Sequence, residues 1–510
     1  PLAHPVQPKE YAAIDNFYTA TVYEKGAEII RMMQTLLGEA AFSKGMELYF
    51  DRFDGTAATI EDFMGCMAEA GDRDLSGFRR WYDQAGLPRV KVQERYDAAA
   101  QTLSLSFEQD TPATPAASAK EPFEIPIQIG FAAETAGGAP GLEDRLIVLT
   151  ETSAQVDIKC GAPKPAVSLL RGFSAPVRLE RDLAERDRRA LMRGDGDLFN
   201  RWEAMREASL SILQAVANGA AFADQAQAVG VYADALAESL ADETLEHAYR
   251  AELLLQPSPT EIAQTLEVID PAAIQSAHSA VRQALAERLQ GVLSRLHDSL
   301  AANAPYSPDA ASAGRRALRN AALDLLLALE GPEPAQRALA QAAAASNMTD
   351  EAAAVSALAR AGRPEKDEAL AAFYEKWREE PLIVNKWLAW RAADPSDDPL
   401  ARVRSLTTHP AYDVKTPNKV RAVLATFSAQ NMAGFHRPDG EAYGFFIDQL
   451  LAIDALNPTL AARLATGLET WPRFEPARRA LLRQAVDRLA GADGLSANLS
   501  DVAQRLRPRD

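Results

Sequence analysis

Asp15-Asn16-Phe17-Tyr18-Thr19-Ala20-Thr21-Val22-Tyr23-Glu24-Lys25-Gly26-Ala27-Glu28 opens the first readable helix and sets how the rest of the chain is read. Thr21 followed three residues on by Glu24 is a capping-box signature. The hydroxyl accepts from one orphan amide and the carboxylate reaches back to another. From Val22 onward, apolar residues recur at Gly26, Ile29, Ile30, Met33, Leu36 and Leu37, which predicts a helix with one buried face. Tyr23 falls in the first turn, where its phenol can leave the packed face. Gly26, one turn later, costs about 1 kcal/mol relative to alanine, which predicts a close neighbour against that backbone.

Helices continue from this start to about residue 86. Phe42, Met46, Tyr49, Phe50 and Phe53 form a second apolar stripe, closed by Asp54-Gly55. Thr59 with Asp62 caps a third helix. Ser76 starts a fourth, with Phe78, Trp81 and Tyr82 inward and Arg79 and Arg80 as ion-pair partners. At Leu87-Pro88 the period changes from helical to alternating, through Val90-x-Val92, Leu103-x-Leu105-x-Phe107, Phe123 to Phe131, Leu146-x-Val148 and Val156-x-Ile158. Turn residues separate these runs, among them the loops Thr111 to Pro122 and Ala136 to Pro140, at the spacing of a small β-sandwich. Pro122 and Pro126 put their strand at an edge or a bulge, because proline cannot donate to a ladder. From about residue 185 alanine-rich amphipathic segments are broken by Pro257-Ser258-Pro259, Pro305-Tyr306-Ser307-Pro308, Gly331-Pro332, Gly362-Arg363-Pro364, Asp394-Pro395 and Asn457-Pro458. The breaks have no fixed period, so a degenerate stack of helix pairs with a concave face is expected.

The chain has 510 residues, enough for two to four domains, and 47% hydrophobic residues with 25% charged ones describe an ordinary globular protein. A net charge of −17 argues against nucleic acid or an anionic membrane as partner. No apolar run reaches the roughly 18 residues of a membrane span. Two cysteines, Cys66 and Cys160, fit a reducing compartment with free thiols, and a single disulfide stays open. Aromatics at helical spacing, such as Phe199 and Trp202 in a helix opened by Asp195, or Trp387 and Trp390, read as core.

Several motifs resemble one family in order. Asn16-Phe17-Tyr18-x-x-x-Val22-Tyr23-Glu24-Lys25-Gly26-Ala27-Glu28 is similar to the segment that follows the zinc site in bacterial aminopeptidase N, the zinc-dependent alanyl aminopeptidase. Phe78-Arg79-Arg80-Trp81-Tyr82-x-Gln84-x-Gly86-x-Pro88, Thr111-Pro112-x-Thr114-Pro115, Phe173-Ser174-Ala175-Pro176-Val177 and Asn347-Met348-Thr349-Asp350 follow in the family's sequence. The resemblance covers essentially the whole chain. It implies a mixed, mainly α fold in three parts: residues 1–86 as the helical end of a thermolysin-like catalytic domain, 87–184 as an immunoglobulin-like β-sandwich, and 185–510 as an ARM/HEAT-like α-superhelix that closes over the catalytic pocket. It implies that Tyr23 donates to the oxyanion formed when water adds to the scissile carbonyl, a task that suits a neutral phenol donor. It also implies substrate-binding arginines: Arg421 in Thr416-Pro417-Asn418-Lys419-Val420-Arg421, and Arg463 in Asn457-Pro458-x-x-x-x-Arg463. A guanidinium can grip a peptide carboxylate in bidentate fashion.

One part of the family's pattern is missing. A zinc aminopeptidase needs His-Glu-x-x-His on a helix, and none of His4, His247, His278, His297, His409 and His436 has a second histidine four residues away. The Gly-x-Met-Glu-Asn stretch that binds the substrate's amino terminus is absent too. The chain therefore reads as the C-terminal part of such an enzyme, inactive alone, with zinc belonging to the complete enzyme and no catalytic metal bound here. Peptide substrates, a cytoplasmic location and a monomeric state are expected. A hydrophobic scar near residues 15–37 is expected as well. The competing reading is a non-catalytic helical-solenoid interaction module.

Overall fold

The computed structural model describes residues 4–10, 17–114, 117–133, 142–161, 163–301 and 305–507. Asp15 and Asn16 of the opening stretch, Pro115 and the expected loop Ala136 to Pro140 lie outside them. The chain divides into two compact units, Pro1–Ala204 and Met205–Asp510.

In the first unit a π-helical turn, Thr21–Lys25, runs without a break into α1 (Gly26–Leu37). The expected capping box is not formed. Thr21 is fully buried, and it is Thr19 whose hydroxyl accepts the amide of Val22 at 3.2 Å. The wider turn starts the helix one position earlier than a Thr21 cap would allow. The face buried by α1 is Ile29, Met32, Met33 and Leu36. Gly26 has helical φ and ψ, and an added Cβ would meet only Val6, at 3.7 Å. The expected close approach is therefore absent. Gly26→Ala should raise the stability of this unit by about 0.5–1 kcal/mol, read as a higher melting temperature. A lower one would reveal a steric demand at that position.

Then come α2 (Glu39–Phe53), α3 (Ile60–Gly71) and α4 (Arg80–Asp83), the last entered through a 3₁₀ turn, Gly77–Arg79. The box at α3 is formed: Thr59 accepts from the Asp62 amide, and its own amide donates to Asp62 at 2.8 Å. Ser76 makes no side-chain cap, and its hydroxyl donates to Asp74 instead, at 3.0 Å. Phe78, Trp81 and Tyr82 are buried as expected.

Among the described residues the β region has seven strands: β1 (Arg89–Asp97), β2 (Thr102–Asp110), β3 (Ile125–Ala132), β4 (Arg145–Leu149), β5 (Ser153–Lys159), β6 (Ala166–Leu169) and β7 (Arg178–Arg181). They form one sheet in the order β5-β2-β1-β7 and a second in the order β4-β3-β6, antiparallel except for the β1–β7 pair. Val90, Val92, Leu103, Leu105 and Phe107 from one sheet and Ile125, Ile127, Ile129 and Phe131 from the other enter one core cluster, which also holds Met33, Phe78 and Trp81. β3 is central, not an edge. Pro126 is tolerated because it pairs only with Val148 of β4, while β6 covers just Ile129 to Ala132 on the other side. A serine takes over in the gap: the Gln128 amide donates to the Ser174 hydroxyl at 3.0 Å.

Arg171 ties the sandwich to the helix Glu185–Gly194 that follows it. Its guanidinium passes under Gly130, donates to Ser168, and pairs with Asp144 at 2.8 Å and Asp195 at 2.5 Å. Asp195 therefore ends a helix, and Asp197 caps the next one through the amides of Phe199 and Asn200, both at 3.0 Å. Phe199 is not core: it is 40% exposed and stacks on Phe173, whose ring centroid lies 4.3 Å away.

The second unit is helical. Many of its prolines start helices: Pro259, Pro271, Pro381, Pro399, Pro417, Pro458 and Pro476 each occupy the first turn of one, where a missing amide costs nothing. Asn347 caps Met348–Arg360 by accepting the Asp350 amide. Asp350 is held in turn by Asn320, and Gln341 joins it to buried His297 at 2.9 Å. The stacked helices expected from the sequence are present, with one further link between an early and a late part of the run. Ile269 exchanges backbone hydrogen bonds with Arg473 and Glu475 at 2.8 and 3.0 Å, and Arg473 reaches the last carbonyls of the helix Pro259–Thr265.

Candidate active site

Tyr23 sits in the middle of the π-helical turn. Thr21 and Lys25, four apart and so on one face, are buried at its two ends, and Tyr23 points the other way, 57% exposed. Tyr18 lies beside it, equally exposed at 58%, with ring centroids 6.1 Å apart. The resemblance had singled out Tyr23 alone. Tyr18 stands in the same motif, before the turn begins, but was given no role there. Next to this pair, Phe17, Val22, Gly26, Ile30, Tyr49, Phe63 and their neighbours line an apolar hollow of about 390 Å³. Phe50 is exposed as well.

Lys25 was missed. It lies four residues before Ile29 and eleven before Leu36, on the buried stripe, and only its charge hid it there. The residue is 4% exposed, and its ammonium donates to the Gly86 carbonyl at 2.8 Å and rests 5.5 Å from the Trp81 ring and 5.7 Å from that of Phe123. Among the described residues no carboxylate pairs with it. Burial, and then the charge of Lys120, lower its pKa to about 8. A second hollow, of about 710 Å³, has Lys9, Arg79, Arg80, Lys120 and Glu121 in its wall. Its arginines are already engaged, Arg79 with Asp83 and Arg80 with Glu121, which is the ion-pair role expected of them.

Arg421 and Arg463 belong to the second unit. Arg421 opens the other π-helical turn found among the described residues, Arg421–Ala425, with Val423 and Leu424 inward and its own side chain exposed. Its Nη1 donates to Asn418 at 2.8 Å. Arg463 is exposed on the helix Pro458–Ala465, which Asn457 caps, and among the described residues no carboxylate holds it. Two of the three sequence candidates thus fall in π turns, a rare conformation that recurs at functional sites. His409 and His436 are packing residues. His409 lies against Trp387, and His436 shares a hydrogen bond of 2.9 Å with Tyr443 while stacking on Phe474. Burial pushes the His436 pKa down to about 3. Cys66 and Cys160 are free and buried, which closes the disulfide alternative. No helix is long and apolar enough to cross a membrane among the described residues.

Comparison with known proteins places this arrangement. The family descriptions that match are a peptidase family M1 domain over residues 1–82, a domain of unknown function with an Ig-like fold over 86–182, and a domain of unknown function with ARM repeats over 185–507. Aminopeptidase N of Caulobacter vibrioides is 44% identical over 99% of this chain, and that of Escherichia coli is 36% identical over 98%. The chain belongs to the aminopeptidase N family. It spans 58% of the length of each of these relatives and corresponds to the C-terminal part of an M1 peptidase. A solved structure, Legionella pneumophila aminopeptidase A in complex with aspartic acid, superposes with a TM-score of 0.83 at 27% identity, over 99% of this chain and 58% of its own. The M1 family is zinc-dependent in general. The residues described here do not fit such a centre, since among them no three His, Cys, Asp or Glu side chains are grouped to hold a metal ion.

Proposed function

We propose that this chain forms the rear of a zinc aminopeptidase that removes N-terminal residues from peptides, and that Tyr23 is its oxyanion donor. The observation that supports this best is the exposed phenol on a helix turn held at both ends by buried side chains. A neutral O–H in a fixed place strengthens its hydrogen bond as a carbonyl oxygen gains charge, and it needs no reorganisation to do so. Tyr18 supplies an aromatic wall beside it. Arg421 and Arg463 bind the carboxylate or carbonyl groups of the peptide, and the metal ligands come from outside this chain. Residues 1–86 complete the catalytic domain, 87–184 act as a spacer, and 185–510 form the cover. The enzyme is read as cytoplasmic and monomeric, in keeping with two buried free thiols and an acidic surface. A non-catalytic helical module has no use for an exposed phenol in a pinned turn.

Two measurements test this. The chain as described should bind no stoichiometric zinc and hydrolyse no alanyl-p-nitroanilide, whereas the full-length enzyme should do both and lose activity to a chelator. Turnover by the chain alone would refute the assignment of the metal site to a missing part. In the full-length enzyme Arg421→Ala and Arg463→Ala should each raise KM for peptides by about tenfold or more, at an unchanged kcat. A KM unmoved in both would reduce the arginines to surface residues.

A further inference from the structure

We infer that Lys25 is a positioning residue for Tyr23: its ammonium, bound to the Gly86 carbonyl over the faces of Trp81 and Phe123, locks the π turn so that the phenol is held outward. The inference rests on the reading of Tyr23 as oxyanion donor.

Lys25 and Tyr23 lie two apart in one helical turn, so they project from nearly opposite sides, and fixing one fixes the other. The anchor itself is rigid. Gly86 has a φ of +107°, and a Cβ there would come within 2.9 Å of the Thr111 methyl, so its backbone is locked at the point where the helices hand over to β1. Trp81 is fully buried and donates its indole N–H to the Glu124 carbonyl at 2.8 Å. Its ring packs 4.3 Å from that of Phe123. The ammonium therefore meets two buried aromatic faces and a carbonyl set by a backbone conformation that favours glycine. Such an arrangement is costly if packing is the only gain. An unpaired buried cation loses hydration that cation–π contacts and one hydrogen bond restore only in part, and a methionine would fill the same space without that loss. What a lysine adds is direction, because a hydrogen bond to one carbonyl specifies a position that apolar contact leaves loose. The turn it fixes is wider than an α-helical one and needs more to hold it.

The test is a double-mutant cycle in the full-length enzyme. Lys25→Met should lower kcat about tenfold or more with KM within about twofold, since a donor moved by a fraction of an ångström loses its alignment in the transition state. In a Tyr23→Phe background the same substitution should cost less than about twofold, because the group it positions is already gone. Losses that multiply across the two backgrounds would overturn the proposal and leave Lys25 a packing residue. Lys25→Gln, which keeps a donor, should by contrast retain most of kcat, and a glutamine variant as slow as the methionine one would overturn the hydrogen bond's role. If neither variant folds, the proposal is overturned in favour of a purely structural role. A second readout separates this idea from the peptidase reading. In the chain described here, labelled with 3-fluorotyrosine, the ¹⁹F resonance that Tyr23→Phe removes should move in Lys25→Met. A shifted resonance together with a harmless Tyr23→Phe would mean that the anchor is right and the catalytic role wrong. An unmoved resonance would count against the anchor whatever the kinetics.

Discussion

Tyr23→Phe in the full-length enzyme is expected to lower kcat by about a hundred- to a thousandfold while leaving KM near its parent value. The substitution deletes one oxygen from a side chain that is already 57% exposed, so neither the core nor the ring contact with Tyr18 is disturbed. Binding of the ground-state carbonyl gains little from a phenol donor, and the tetrahedral oxyanion gains much. That difference is why the loss belongs in kcat. Steady-state kinetics on alanyl-p-nitroanilide and on a dipeptide, with a melting curve to confirm the fold, measure it. A variant with more than a tenth of the parent kcat would remove Tyr23 from the chemistry and with it the main support for the proposed function.

The second large effect concerns stability. Arg171→Ala should destabilise the first unit by about 3–5 kcal/mol, because it leaves a buried carboxylate without its cation. The Asp195 side chain is fully buried and the Arg171 side chain is 11% exposed. Among the described residues Asp195 keeps the Asp197 amide, at 3.0 Å, as its alternative donor. Asp144 is 47% exposed and can turn to water, so it contributes much less to the loss. Urea unfolding followed by hydrogen exchange on peptides of the sandwich reads the first unit apart from the second, which holds four of the six tryptophans. Arg171→Met combined with Asp195→Asn should recover a large part of the loss, since it removes the stranded charge together with its partner. If the double variant were as unstable as Arg171→Ala, packing under Gly130 would be the cause, not the ion pair.

The fold was readable wherever a period repeats for long enough. The α1 stripe, the alternation from Leu103 to Phe107 and the helical run after residue 185 all announced themselves through spacing. Short elements did not. β6 is four residues buried on every side, and Ala-Val-Ser-Leu carries neither period. Pro126 misled because proline excludes one hydrogen bond, whereas centrality in a sheet is decided along the whole strand. Asp195 and Asp197 are both good caps, and only the ion pair with Arg171 shows which is which. For the site, motif resemblance named Tyr23, Arg421 and Arg463. The π turns beneath two of them have no composition of their own, so they were invisible. Lys25 stood on the apolar face in plain view but was passed over because a charge there looks like an exception rather than a component.

The backbone link between Ile269 and the Arg473–Glu475 segment has a consequence for how the second unit comes apart. A linear array of repeats frays from its termini and can melt in instalments, each repeat answering only to its neighbours. Here the tail is knotted by hydrogen bonds to a strand-like residue some two hundred positions earlier, so early and late helices stand or fall together. Loosening Arg473 should therefore be felt at Pro259–Thr265 before it is felt by helices that lie between them in sequence. Hydrogen exchange on the intact unit would show it as amides of distant segments opening in concert.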